Sequence, residues 1–314
     1  MRAATIVDGD VVAREHPDPV PGALEVLVRV KAAGVNAADL LQRAGRYPPP
    51  PGAPVDIPGL ELAGEVCGRG PGAVRFEVGE RVMAVVGGGA HAELCTVHER
   101  LAVAVPPAVP WAAAGGFPEA FTTAHDALFT QCGLAMGERV LVSGAAGGVG
   151  TAAVQLAAAA GASVTASVRN AGLRPGVAGL GPNVTVVAPD EVAGSGPYDV
   201  VLELVGAPNL AVDLAELAIG GRAAIIGVGA GSRAEIDLRV LMERRASVRG
   251  STLRARPLEA KADAARRIEA HVAPLLARGA VNVPVAATFP LDAVPDAYGR
   301  FAAGAKLGKV VLVM

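Results

Sequence analysis

The sequence predicts an α/β protein, with a doubly wound parallel sheet beside a second, β-rich domain. Three observations carry that expectation. An apolar, β-branched run ends in a glycine cluster and passes directly into a helical pattern at 139–156. Strand-like and helix-like segments then alternate toward the C-terminal end, the pattern of a parallel sheet with helical crossovers. Residues 1–113 show short β signals punctuated by glycine and proline instead. At 314 residues the chain suits two domains better than one core.

In order along the chain, 25–30, 62–67 and 81–86 read as strands bounded by turn residues. Residues 17–22 and 47–58 are proline-rich loops, and the whole reads as a partly open barrel. The pattern changes near Trp111, where 112–121 and 123–129 read as helical. Strands follow at 139–143, 163–168, 183–188, 199–205 and 222–228, with a sixth beginning at 247–250. A long amphipathic helix is expected over 259–276, with Ala264, Ile268, Val272 and Leu275 on one face. The segment 309–313 reads as a strand that returns to the first domain. The expected division is 1–113 with 277–314 for the β-rich domain and 114–276 for the parallel-sheet domain.

The glycine cluster has the form Ala-x-Gly-x-x-Gly, at Ala145, Ala146, Gly147, Gly148, Val149 and Gly150. Strand, tight turn and helix in that order make a dinucleotide-binding unit. Gly147 leaves no Cβ between backbone and pyrophosphate. Gly148 and Gly150 permit the turn and the close packing of helix on strand. The free N–H groups of the first helical turn face the phosphate charge. A dinucleotide implies redox chemistry. Enzymes that use NAD place a carboxylate at the end of the second strand, to hold the ribose 2′-hydroxyl. Here that strand ends Ser167-Val168-Arg169-Asn170, and an arginine suits a 2′-phosphate. The expected cofactor is NADPH. Gly206 and the turn Gly227-Val228-Gly229 fall at strand ends where it should cross.

Composition narrows the remaining classes. The net charge is −2 and aromatic residues are 3% of the chain. No nucleic-acid partner is expected. Glycine and polar residues within 151–168 argue against a membrane span, and acidic residues at 8 and 10 interrupt any signal-peptide core, so a cytoplasmic protein is expected. The three cysteines, Cys67, Cys95 and Cys132, read as reduced thiols. His91 and Cys95 are four apart without a third ligand at a credible spacing, so no metal site is expected. Ser143 sits in no nucleophile elbow. His125, on a helix with Phe121 and Phe129, reads as structural.

The chain also resembles the zinc-independent quinone oxidoreductases of the medium-chain dehydrogenase/reductase superfamily, and within them the p53-inducible quinone oxidoreductase subgroup. The resemblance is carried by 36–52, running Asn-Ala-Ala-Asp-Leu-Leu-Gln-Arg-Ala-Gly-Arg-Tyr-Pro-Pro-Pro-Pro-Gly. It continues through Gly59-Leu60-Glu61-Leu62-Ala63-Gly64, the glycine turn, Gly250-Ser251-Thr252-Leu253-Arg254-Ala255-Arg256 and Gly308-Lys309-Val310-Val311-Leu312. In zinc-dependent relatives a cysteine and a histidine ligate the metal where Asn36 and Leu60 stand here.

The resemblance implies a GroES-like catalytic domain holding an inserted Rossmann domain, with the active site in the cleft between them. It implies NADPH, a small-molecule electrophile (a quinone or an electron-poor alkene) as acceptor, and a homodimer formed by sheet extension. Asn36 would bond near the nicotinamide ribose, Tyr47 would border nicotinamide and substrate, and Thr122 would lie near the nicotinamide. Asn36 and Tyr47 are the candidate catalytic residues, with Tyr47 or water protonating the product. The subgroup's lysine after the second strand and its tyrosine near the end of the third are replaced here by Gly172 or Leu173 and by Ala188. NADPH preference therefore leans on Arg169, with Ser167 and Asn170 assisting. Two other readings stay open: reduction of an enone, 2-alkenal or enoyl thioester on the same scaffold, and a non-catalytic NADPH-binding protein.

Overall fold

A computed structural model describes residues 1–314. The chain forms two compact units. The first holds Met1–Thr122, Leu253–Gly304 and Lys309–Met314, and the second holds Thr123–Thr252 and Ala305–Gly308.

The first unit opens with a hairpin of β1 (Arg2–Val7) and β2 (Asp10–Glu15). Next come β3 (Glu25–Val35), β4 (Glu61–Arg69), β5 (Arg81–Val85), β6 (Leu94–His98) and β7 (Ala102–Ala104). In β3 the valines at 26, 28 and 30 are buried and alternate with less buried neighbours, the period of a half-buried strand. They pack with Leu62, Val66, Val82, Ala84 and Val97 into one core. The helical segment expected at 112–121 is two helices, Trp111–Gly115 and Pro118–His125. Pro118 lacks the N–H that would continue the first, so it starts a new helix instead.

The second unit is the parallel sheet. It contains β8 (Arg139–Ser143), β9 (Ser163–Ser167), β10 (Val184–Val187), β11 (Tyr198–Glu203), β12 (Leu217–Ile225) and β13 (Ser247–Gly250). The order is β10-β9-β8-β11-β12-β13, with every pair parallel. This is the doubly wound order, which reverses direction beside its first strand. All six expected strands form. Because they are parallel, their C-terminal ends share one edge.

The chain then returns to the first unit. Its boundaries differ from those expected: 114–122 and 253–276 pack with the β-rich unit. An amphipathic helix declares a buried face but not which sheet it covers, and this one lies against β7. It runs Leu258–Arg267, then a π-helical turn Ile268–Val272, then Ala273–Ala277. Ala264, Ile268 and Val272 are buried as expected, but Leu276 replaces Leu275 on that face. The wider π turn carries one extra residue and shifts the face by one position. Finally, β14 (Val285–Pro290) and β15 (Lys309–Val313) complete a sheet of order β14-β15-β3-β4-β5-β7, with β6 also on β3.

Candidate functional site

Asn36 follows β3 and caps the helix Ala37–Arg43. Asp39 fixes its backbone: Asn36 N donates to Asp39 Oδ2 at 2.7 Å, and Gly59 N donates to Oδ1 at 3.0 Å. One carboxylate thus ties the end of β3 to the segment entering β4. Burial pushes the Asp39 carboxyl up, opposed by His91 and by those two N–H donors.

The Asn36 side chain, 7% exposed, is held at both ends. Nδ2 donates to Glu61 Oε1 at 2.9 Å and to Gly34 O at 3.2 Å. Lys309 Nζ donates to Asn36 Oδ1 at 2.5 Å and lies 2.6 Å from Glu61 Oε1. Glu61 Oε2 accepts from Glu119 N at 2.9 Å. Gly34 makes room for this cluster, since a Cβ there would stand 2.2 Å from Glu61 Oε1. Behind it, His91 shares hydrogen bonds with Gly34 O and with the Tyr298 hydroxyl, each at 3.1 Å. His91 is therefore engaged structurally. No group of three or more histidines, cysteines or carboxylates is placed to hold a metal.

Tyr47 sits in the same unit. Arg254, 3% exposed, donates to Tyr47 O at 3.0 Å and to Gly87 O at 2.9 Å. It also donates to Gln42 Oε1 at 2.5 Å, and its guanidinium lies 5.1 Å from the Tyr47 ring centroid. Burial lowers the Arg254 pKa, because all three partners are neutral. The motif around Arg254 is visible in the sequence, but its clamp on Tyr47 is not. Thr122 is buried and lines a small apolar cavity with Met83, Val103, Phe117 and Leu253.

In the second unit, Ser143 ends β8 and the glycine turn follows. The helix Gly148–Ala159 is capped by Gly147, and residues 146–149 remain partly exposed. Gly150 is required by close approach, since a Cβ would lie 2.5 Å from Gly144 O and 2.7 Å from Ala145 C. At Gly147 a Cβ would meet only Gly144 O, at 3.6 Å. Its outer side is open, as a pyrophosphate cradle requires. Ala145 N donates to Ser167 O at 3.1 Å, which ties the turn to the end of β9. Arg169 and Asn170 are exposed there. Asn170 Oδ1 accepts from Gly172 N at 3.0 Å. Arg174, which the sequence reading passed over, turns back to the same strand end, with Nε donating to Val168 O at 3.1 Å. Gly206 (φ +118°) and Gly227 let the ends of β11 and β12 close on each other. Val228 and Gly229 follow in that turn. The residues expected to bind the dinucleotide in this unit therefore gather on one edge of the sheet. Asn36, Tyr47 and Thr122 belong to the first unit.

Beneath that edge lies a buried carboxyl pair. Glu203 Oε1 accepts from Val205 N and from Gly206 N, and Oε2 accepts from Asn209 Nδ2 at 3.2 Å. Asp213, 1% exposed, accepts from Ser143 Oγ at 3.5 Å, and its Oδ2 has no donor. Burial, with the adjacent Glu203 adding to it, raises Asp213 to about 9, so this carboxyl holds its proton near neutral pH. Two of the three cysteine thiols are held as unreactive thiols: burial pushes Cys95 up to about 12 and Cys132 to about 11.

Residues 22–130 match the alcohol dehydrogenase GroES-like domain, and 182–312 match the zinc-binding dehydrogenase domain. The quinone oxidoreductase of Rattus norvegicus is 30% identical over 332 residues, covering 100% of this chain and 98% of that protein. The chain belongs to the quinone oxidoreductase family. It is therefore an oxidoreductase of the medium-chain dehydrogenase/reductase superfamily, whose members depend on nicotinamide cofactors. A mycobacterial member of the fold, solved in complex with NADPH, has 27% identity and a TM-score of 0.88, with 100% of both chains covered. A stretch of the polyketide synthase GfsB of Streptomyces halstedii is 41% identical over 143 residues, 46% of this chain and 2% of that protein. No helix is long and apolar enough to cross a membrane.

Proposed function

We propose that this protein reduces quinones with NADPH. The observation that carries the reading is the Asn36 cluster. Its side chains offer hydrogen bonds and shape but no donor set for a metal, which suits an acceptor that is already a strong electrophile. Bound NADPH would supply the hydride. The glycine turn and the N-terminus of the helix Gly148–Ala159 would hold its pyrophosphate. Arg169 and Arg174 would take its 2′-phosphate, with Ser167 and Asn170 beside them. Asn36 and Thr122 would border the nicotinamide. Tyr47, its loop held by Arg254, would shape the acceptor's edge, and its hydroxyl or a water would protonate the product.

The similarity to a polyketide synthase favours a second reading, in which the hydride goes to the β-carbon of an enone or enoyl thioester. We place the protein in the cytoplasm as a homodimer joined along β13. That strand closes the sheet with a free edge, and Leu238, Met242 and Val248 are exposed in that unit. The deciding experiment titrates the protein with NADPH and NADH by nicotinamide fluorescence, then compares turnover on a benzoquinone and a 2-alkenal. Faster quinone turnover with NADPH supports the first reading. Faster alkenal turnover replaces it with the second. Binding without turnover on either makes the protein a non-catalytic binder, and equal affinity for both cofactors removes the role of Arg169.

A further inference from the structure

We infer that the buried Lys309–Glu61 pair fixes the polarity of the Asn36 amide, so that Asn36 meets its ligand only as a hydrogen-bond acceptor. The inference rests on the reading that Asn36 belongs to the nicotinamide site. An asparagine side chain offers two N–H donors and two acceptor lone pairs, and its partners decide which end faces which way. Here both donors are spent, on Glu61 Oε1 at 2.9 Å and Gly34 O at 3.2 Å. One lone pair of Oδ1 is taken by Lys309 Nζ at 2.5 Å, and the other is left. A flipped amide would set its NH₂ against the ammonium and its oxygen against a carboxylate and a carbonyl. Glu61 and Lys309 are 0% and 3% exposed, so little water screens those clashes. The remaining lone pair suits a ligand hydroxyl, the chemistry of a ribose. Lys309 and Glu61 are positioning residues, acting through Asn36.

Lys309→Met alone would strand a buried carboxylate, so the test uses the paired variant Glu61→Gln/Lys309→Met, which removes both charges together and frees the amide to flip. In this folded variant KM for NADPH and for NADH should each rise about tenfold, the scale of one well-placed hydrogen bond. Binding of 2′,5′-ADP, which carries only the adenine half, should stay native. The same paired change made on Asn36→Ala should add less than about twofold, because the two charges then have no amide to orient. Lys309→Arg, which keeps the cation, should restore most of the native KM. Native KM in the folded paired variant overturns the inference. So does a full tenfold loss on Asn36→Ala, or a parallel loss of 2′,5′-ADP binding. A wild-type protein that binds dinucleotide but reduces no quinone overturns the proposed acceptor alone, and the cycle is then read from dinucleotide binding.

Discussion

The two units treat buried charge in opposite ways. Around Asn36 opposite charges meet, and the atoms of the amide cluster are mutually satisfied. Beneath the glycine turn like charges meet, and Asp213 Oδ2 is matched only if a proton is held there. A neutralised pair is set before any ligand arrives. Burial holds the Asp213 carboxyl well above its ordinary range, so the support under the glycine turn responds to pH.

The contrast can be broken at its stronger end first. Lys309→Met should cost about 3–5 kcal/mol of unfolding free energy, seen as a lower urea midpoint, because it leaves Glu61 buried without its cation. An unchanged midpoint would mean that the pair does not neutralise. Gly150→Ala should cost about 1–3 kcal/mol by overpacking the turn. It should also weaken NADPH binding in a fluorescence titration, and native affinity would deny that this close approach shapes the cradle.

Asp213→Asn sharpens the pH side. The folded pKa of Asp213, about 9, lies above the ordinary 3.8. Between those values the folded protein holds a proton that the unfolded chain has released, so stability falls as pH rises through that window. Asparagine cannot ionise. The variant's unfolding free energy, read from urea melts, should therefore gain on wild type between pH 5 and pH 8, by up to about 4 kcal/mol. A constant gap would separate Asp213 from its proton. The smallest effects belong to the two arginines at the end of β9. Arg169→Ala should weaken NADPH about fivefold and leave NADH and stability unchanged, with a similar loss for Arg174→Ala. Equal losses for both cofactors would remove the 2′-phosphate role.

The parallel sheet was legible because its signals are local: an apolar run, a glycine turn and a helical period lie side by side in 139–156. The unit boundary was less legible, since the face of 259–276 says that something covers it and not what. The shift from Leu275 to Leu276 depends on a π turn that no residue type announces. Asn36 could be found by resemblance, but the reason for its orientation could not. Glu61 is 25 residues away and Lys309 is 273 away, and each reads alone as an ordinary charge. Asp213 looks like any polar residue on an amphipathic helix until Ser143 and Glu203 are seen beneath it.

The placement of β15 has a consequence for synthesis. The β6 strand pairs with Glu25–Arg29 of β3, while Ala32–Val35 pairs with β15. That strand is translated after the whole of Thr123–Thr252. Nearly all of the second unit is one continuous stretch able to fold as it emerges from the ribosome. The first unit must wait, with the Ala32–Val35 edge bare and Glu61 lacking its counter-ion. A nascent chain stalled before Lys309 would carry a nearly finished second unit and an unfinished first. That bare edge is the place where a holding chaperone, or another unfinished chain, would take hold.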